Sequence, residues 1–501
     1  MKLKVKDMDI ATGGVKVVLL NEKDAEKLDL HHNDRVIVRK GKKFTTAVLD
    51  IAESRKAVPI GKIGLFEEVL DALNAKHGVV VDLGTGKKPI SVSYIKKKLD
   101  GKELTYHETY EVMKDIVKDD LTDIELTSYI TANYVHGMSL KEILDSTKAM
   151  KDTGSVIDIK NGIIADIHGI GGVPGNRTTP IVVPILVAAG LKVPKTSSRA
   201  ITSPSGTADT MDVFCKVALP IPKLKKIIKK VGGFIVWGGA INLAPADDKI
   251  IKIEHPIEID AEGQMIASIM AKKASVNATH LLLEMSVGKS AKIHSRQEAK
   301  HLTWYFDRIS KSLGIKILYH IDDGSQPIGN GIGPALEARD VLWVLKNDKR
   351  APEDLRKKSL KMAAMMLEFT GKAKKGKGMQ MATQLLEGGA AYKTFVKIIK
   401  AQGGCEIKAD KIEIGDCTRI FRARKSGRIT HVDNKVTTKI GRMAGAPSDH
   451  GSGIYLHVHK GYKVKKGDKL FTIYSHNKEE LAYAIDCANR LKLMEIKKSL
   501  H

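Results

Sequence analysis

The chain is expected to be a multidomain α/β protein, with a β-barrel-like module at its N-terminus and an α+β domain at its C-terminus. Three features carry that expectation. Strand-like alternation fills the first 85 or so residues, capping boxes and four-residue apolar spacing follow to about residue 155, and glycine-rich loops then alternate with apolar runs. At 501 residues there is room for three or four domains with full cores. The expected borders are 1–85 for the barrel-like module and 406–501 for the C-terminal domain.

In the first module Val15-Val17-Leu19, Val36-Val38 and Ala47-Leu49-Ile51 alternate as strands do. Helix starts are then announced by Thr105 with Glu108, Thr122 with Glu125 and Ser139 with Glu142, each a hydroxyl residue followed three positions later by glutamate. Leu126, Ile130 and Tyr134 share a helical face and are expected to pack inward. The stretch DIHGIGGVPGNRTTPIVVPILVAAGLKVPKTSSRAITSPSGTADTMD, Asp166 to Asp212, is the centre of the chain. A glycine turn (Gly169 to Gly175) leads through Thr178-Thr179-Pro180 into an apolar helix, and a loop of small hydroxyl residues runs from Thr196 to Thr207. Glycines let backbone N–H groups approach an anion, and a helix start adds positive potential, so two such loops around one helix make a candidate phosphate site. Met265, Ile266 and Ile269 in DAEGQMIASIMAKK fit a buried helix, and Met362, Met365 and Met366 read as core of a helix begun near Pro352.

Hydrophobic residues make up 43 % and charged residues 28 % of the chain, the balance of a soluble globular protein. No apolar run approaches the ~20 residues that span a bilayer, and the N-terminus lacks a signal-peptide core, which points to the cytoplasm. Cys215, Cys405, Cys417 and Cys487 form no CxxC pair, so a metal site is not expected, and a Cys405–Cys417 disulfide is left open. The net charge of +25 has no RNP motif, zinc finger or aromatic-interleaved strand beside it. It is read as attraction for an anionic metabolite rather than for nucleic acid.

The segment Ser197-Ser198-Arg199-Ala200-Ile201, then Gly206-Thr207, Asp209 and Asp212, resembles the S-G-R-G-L, G-G-T, D, E signature of the thymidine/pyrimidine-nucleoside phosphorylase family. Asp166-x-His168 with Gly171-Gly172-Val173 resembles that family's D-K-H-S-T-G-G-V. Three further stretches extend the likeness: Gly232 to Asp247, Asp260 to Lys273, and DDGSQPIGNGIGPALEARDVL. The resemblance is collinear from about Leu121 to the C-terminus. It implies a nucleoside phosphorylase fold, with a small all-α domain of 86–155 and about 216–232 beside a mixed central α/β domain of 156–215 and 233–405, dimerisation through the helical domain, and closure of the domains on substrate. The run AEKLDLHHNDRVIVRKGKK resembles the double-psi β-barrel of some AAA ATPases, and GSGIYLHVHKGYKVKKGDKLFTIYS a hammerhead half-barrel without a modifiable lysine at its tip.

Phosphorolysis needs a phosphate held beneath the anomeric carbon, a positioned sugar and an improved leaving group; phosphate is the co-substrate and no cofactor is implied. The resemblance puts Ser197, Thr207 and the backbone of Gly172 around phosphate, and wraps the nucleotide in the loop Ser198, Arg199, Ala200, Ile201, Thr202 and Ser203. Ser268 and Lys272 are matched to its base-binding group. Departures from the pattern matter as much. Ile167 and Gly169 replace its Lys and Ser, losing two phosphate contacts and opening space, and Ile253 replaces its pyrimidine-binding Arg. Lys292 replaces an apolar residue, which suits a substrate with a 5′-phosphate, with a solvent-facing lysine as the alternative and Lys289 as a neighbouring candidate. Asp260 is the candidate catalytic acid that protonates adenine at N7, and equally an N-cap for the helix after it. Together these features imply phosphorolysis of AMP, with other nucleoside 5′-monophosphates open. One alternative is a phosphorylase of unphosphorylated nucleosides; another is a basic nucleic-acid-binding or scaffold protein on an inactive phosphorylase fold.

Overall fold

The computed structural model describes residues 1–501 apart from Lys87, Asn161, Ile201, Thr202, Glu258 and residues 498–501. The chain forms two compact units, Met1–Ala149 with Lys249–Gly263, and Met150–Asp248 with Gln264–His501.

The first unit opens with six strands, β1 (Lys2–Asp7), β2 (Val17–Asn21), β3 (Arg35–Lys40), β4 (Lys43–Ala52), β5 (Lys62–Leu65) and β6 (Val80–Thr85), closed as a barrel in the order β1-β5-β2-β4-β3-β6. The β1–β5 and β2–β4 pairs are parallel. Closure leaves no open edge, and every second residue faces the core: Leu3 and Val5, Val36 and Val38, Ala47 and Leu49. In β2 the inward residues are Val18 and Leu20, not Val17 and Leu19, and Val15 is exposed. Val17-Val18-Leu19-Leu20 is apolar at both parities, so its period cannot choose a face; pairing with β4 and β5 does. Short helices α1 (Glu22–Glu26) and α2 (Glu67–Leu73) complete the module.

Four helices follow: α3 (Ser91–Leu99), α4 (Tyr106–Lys118), α5 (Asp123–His136) and α6 (Leu140–Asp152). All three expected capping boxes form. Thr105 with Glu108 and Thr122 with Glu125 start α4 and α5. At α6, Ser139 Oγ accepts from the Glu142 N–H at 3.3 Å and the Glu142 carboxylate accepts from the Ser139 N–H at 3.0 Å. Two of the glutamates also tie elements together. Glu125 meets Arg35 of the barrel at 2.6 Å, and Glu142 meets the buried Lys98 at 2.7 Å. Leu126 and Ile130 pack inward as expected, but Tyr134 is 54 % exposed and Asn133 takes the buried place. The segment from Lys249 to Gly263 belongs here as well. Lys249 donates to the carbonyls of Ile116 (3.0 Å) and Val117 (2.8 Å) at the end of α4, where a cation suits the helix dipole.

The second unit is built on parallel strands β7 (Ala165–Ile170), β8 (Val193–Ser197), β9 (Gly233–Trp237), β10 (His280–Val287) and β11 (Lys316–Asp323). They form two sheets, β11-β10-β7 and β8-β9, joined by a parallel bridge between Ile164 and Lys192. Helix α7 (Thr179–Ala188) follows β7, carries Pro180 in its first turn, and is buried on all sides. The short α8 (Thr207–Asp212) follows β8. Helix α9 (Ile221–Val231) was expected with the helical domain. Its apolar stripe of Leu224, Ile227 and Ile228 instead packs with Phe234 and Val236 of β9, so it belongs to the α/β unit. Helices α10 (Pro245–Ile257) and α11 (Glu262–Ala274) straddle the boundary between the units, and α12 (Arg296–Leu313) links β10 to β11.

A short strand β12 (Gly331–Ile332) precedes α13 (Pro334–Leu345), α14 (Glu353–Phe369), α15 (Gly378–Glu387) and α16 (Ala390–Ala401). Met362 and Met366 of α14 are buried and Met365 packs beside them, as expected for core. The C-terminal strands are β13 (Cys417–Arg422), β14 (Gly427–Val432), β15 (Gly453–Leu456), β16 (Lys463–Val464), β17 (Lys469–Ser475) and β18 (Met494–Lys497), with α17 (Asn434–Met443) and α18 (Lys478–Arg490) between them. They form sheets β12-β15-β17-β13 and β16-β14-β18. Through β12 the α/β chain supplies a strand to the C-terminal sheet, and Asn434 donates to the Gly324 carbonyl at 2.8 Å, which explains why residues beyond 406 join the second unit rather than standing apart. All four cysteines are free thiols.

Candidate active site

In an open parallel sheet, ligands sit at the carboxyl ends of the strands, where loops can diverge. The cleft in the second unit, about 340 Å³, lies there. The glycine turn after β7, the hydroxyl loop after β8, Gly238-Gly239 after β9 and Lys292 after β10 line it, together with Lys272 and Lys273 of α11 and Met362.

Two glycines are required by geometry. Gly172 has φ +58°, and a Cβ there would lie 3.6 Å from Lys292 Cγ. At Gly206 a Cβ would come within 2.6 Å of the Ser198 carbonyl and 2.7 Å of the Ala200 nitrogen, so the hydroxyl loop closes on itself only over a glycine. A single carboxylate holds that loop. Asp209 accepts from the Ala200 N–H (2.7 Å), the Gly206 N–H (2.9 Å) and Arg199 Nη1 (2.9 Å). Arg199 also bonds Asp212 at 2.7 Å and lies over the Trp237 ring. Arg199 thus packs the loop through two carboxylates while lining the cleft.

Among the other expected residues, Gly172, Ser198, Ser203, Thr207 and Lys292 line this cleft. Ser203 Oγ donates to the Ser205 carbonyl at 2.8 Å. Lys292 is docked on the glycine turn by its backbone N–H, 3.0 Å from the Gly171 carbonyl. Ser268 lies on α11 and accepts from Lys272 at 3.5 Å, while Lys272 pairs with Asp247 at 2.6 Å. Ile201 and Thr202 lie outside the described residues. Asp260 belongs to the first unit, ahead of α11, and Ile253 lies on the first-unit part of α10.

The space expected from glycine at position 169 is not open. A Cβ there would fall 2.6 Å from Glu284 Oε2, so the Glu284 carboxylate occupies it. Glu284 is buried and meets Lys358 at 2.7 Å. Residues that sequence reasoning passed over complete the wall. Arg177 is bound to the Glu337 carboxylate and reaches Thr207 Oγ1 (3.2 Å) and the Ser205 carbonyl (2.7 Å), so one guanidinium ties the glycine turn to the hydroxyl loop. Its signal was a cation just past the glycine turn. Lys273 pairs with Asp166 at 2.7 Å, both fully buried, and Lys195 is buried in β8. A lysine inside the otherwise uncharged strand VPKTS was its signal. Burial and the lysines Lys273, Lys195, Lys272 and Lys292 hold the His168 imidazole well below its usual pKa, so it is neutral. The cleft wall is rich in cations, which favours negative charge within it.

Such a wall, set between glycine and hydroxyl loops at the ends of a parallel sheet, suits an anionic ligand, and the family models place the chain among glycosyl transferases. The chain matches the helical bundle domain of the glycosyl transferase family over residues 92–154 and the family's a/b domain over 161–392. It also matches the pyrimidine nucleoside phosphorylase C-terminal domain over 429–492. The solved anthranilate phosphoribosyltransferase of Thermus thermophilus shares the fold, with a TM-score of 0.52 and 16 % identity over 62 % of this chain and 99 % of that one. Full-length relatives narrow the class. AMP phosphorylase of Pyrococcus furiosus is 43 % identical and that of Thermococcus kodakarensis 44 %, each over 99 % of this chain and 98 % of the relative. That of Methanocaldococcus jannaschii is 41 % identical over 98 % of this chain and 96 % of the relative. The chain belongs to the AMP phosphorylase family.

Proposed function

We propose that this protein cleaves AMP with inorganic phosphate, releasing adenine and ribose 1,5-bisphosphate. The observation that carries the reading is end-to-end similarity to AMP phosphorylases in a chain whose cleft is walled by Arg177, Lys195, Lys272, Lys273 and Lys292. Arg177, Lys272 and Lys273 are balanced by Glu337, Asp247 and Asp166, and the cationic lining as a whole suits a substrate that brings a phosphoryl group of its own to a site that also binds free phosphate.

In the reaction a phosphate oxygen bonds to C1′ of the ribose as the C1′–N9 bond breaks. The electron pair of that bond goes to adenine, and the Asp260 carboxyl supplies a proton to N7, so neutral adenine leaves. General-acid help of this kind is worth ~10²–10⁴-fold. Gly172 and Thr207 hold the attacking phosphate, the loop Ser198–Ser203 wraps the nucleotide, Ser268 contacts the base and Lys292 takes the 5′-phosphate. The protein is further proposed to act in the cytoplasm as at least a homodimer, and to need no cofactor. No helix among the described residues is long and apolar enough to cross a membrane.

Adenine release from AMP and phosphate, compared with adenosine, thymidine and uridine, tests the substrate. Equal turnover of an unphosphorylated nucleoside would overturn the choice of AMP. Lys292→Ala should raise KM for AMP at least about tenfold, the worth of a charge-assisted contact, and leave adenosine unaffected. Asp260→Asn should lower kcat by about 10²-fold or more; undiminished cleavage would remove Asp260 from the mechanism.

A further inference from the structure

Lys195 stands third in β8 and is 5 % exposed. Every other strongly buried cation of the cleft wall has a carboxylate: Lys273 has Asp166, and Arg177 has Glu337. The ammonium of Lys195 has the carbonyl of Thr196, at 2.6 Å, and among the described residues no carboxylate pairs with it. Its neighbour Thr196 is as deeply buried and also lines the cleft, and Thr196 Oγ1 has no hydrogen-bond partner among the described residues. A buried charge and a buried hydroxyl are strongly disfavoured when left short of partners. Successive strand side chains leave opposite faces, so the two do not converge on one point. The Lys195 ammonium, on the wall of a cleft rich in cations and without a carboxylate among the described residues, is the group that suits an anion with several acceptor oxygens.

We infer that Lys195 binds the inorganic phosphate co-substrate. The inference rests on the phosphorolysis reading and names the cation that holds the attacking anion. The strand register supports it. The Ile164–Lys192 bridge and the Ala165 N–H to Lys192 carbonyl bond (2.9 Å) start β7 and β8 side by side and parallel, and Ile167 and Lys195 each lie three residues on from that bridge. Ala165, Ile167 and Val193 share one apolar core, so the lysine stem continues an apolar face and only its end is polar. The charge absent at Ile167 is therefore supplied from the next strand. Burial, with Lys273 and Lys272 adding to it and Asp166 opposing, lowers the ammonium pKa to about 7, as expected of a cation whose counter-charge arrives with the substrate.

The test is steady-state kinetics with AMP and phosphate varied independently, for the unaltered protein, Lys195→Gln and the double variant Ile167→Lys/Lys195→Met, with circular dichroism to check folding. Adenine release that saturates with phosphate in the unaltered protein establishes the reaction; its absence would overturn phosphorolysis itself. Given that reaction, Lys195→Gln should raise KM for phosphate by about tenfold to 100-fold, the worth of a hydrogen bond to a charged group, with KM for AMP within about threefold. The double variant returns an ammonium from β7 and should recover most of the loss. A rise of less than about tenfold in Lys195→Gln, or an equal rise in both KM values, overturns the role of Lys195 and leaves phosphorolysis standing. Lys195→Met carries the same expectation should the amide prevent folding.

Discussion

Asp209 is the residue whose removal has the most calculable consequence. Its carboxylate, 4 % exposed, accepts from the Ala200 and Gly206 N–H groups and from Arg199. Hydrogen bonds to a charged group are worth about 1.5–3 kcal/mol each, so the two backbone bonds together carry about 3–6 kcal/mol. The Arg199 bond is discounted, because that side chain is 36 % exposed and keeps Asp212; as a part-exposed pair it adds about 1 kcal/mol at most. Asp209→Ala should therefore release the loop from Ser198 to Gly206, whose hydroxyls and amides line the cleft. If about 3 kcal/mol must then be spent reordering the loop on binding, kcat/KM for AMP falls by about 10²-fold. Asp209→Asn keeps one acceptor oxygen and should fall by about tenfold. Kinetics supply the rates, and amide exchange at Ala200 and Gly206 reports whether the loop has opened. A folded Asp209→Ala protein with kcat/KM within about threefold of the unaltered one, and protected amides, would refute the account.

Three further outcomes are expected. Gly206→Ala places a methyl group on the Ser198 carbonyl and should cost about 1–3 kcal/mol of stability and at least about tenfold in kcat/KM, measured by urea unfolding and adenine release. Lys273→Met strands Asp166 in the core and should destabilise by about 3–5 kcal/mol, whereas Lys273→Met/Asp166→Leu should lie within about 2 kcal/mol of the unaltered protein; equal losses in urea unfolding would count against the buried pair. The third concerns pH. Lys195 titrates at about 7 in the folded protein and near 10.4 when unfolded, so between these values the unfolded chain binds the extra proton and stability rises with pH, by at most about 1.4 kcal/mol per unit. Lys273, Lys272 and Asp166 are the charges that face it, and His168 is already neutral there. In phosphate-free buffer Lys195→Met should therefore melt above the unaltered protein near pH 7, with the gap shrinking towards pH 10. A gap independent of pH would show that the lysine is not held down.

Local signals in the chain were sufficient wherever neighbours in sequence settle the matter. The capping boxes at Thr105, Thr122 and Ser139 need only the residue three positions on, and all of them form. The glycine and hydroxyl loops were legible for the same reason, since Gly172 and Gly206 answer to backbone geometry within a few residues. The sequence by itself thus determined the order of barrel, helices and α/β unit, and the two loops that make the cleft.

Tertiary structure decided what depends on partners far along the chain. The face of β2 that turns inward was set by β4 and β5, because Val17 to Leu20 are apolar throughout. Helix α9 went to β9 rather than to the helical bundle, because an apolar stripe specifies burial but not the partner, and Phe234 and Val236 supply it here. At Gly169 the apparent space is taken by Glu284, from a strand more than a hundred residues away, and Lys195 acquires its meaning because Asp166 is already claimed by Lys273. A motif records which groups are available; burial and charge pairing, which are properties of the folded whole, decide which of them are left to meet a ligand.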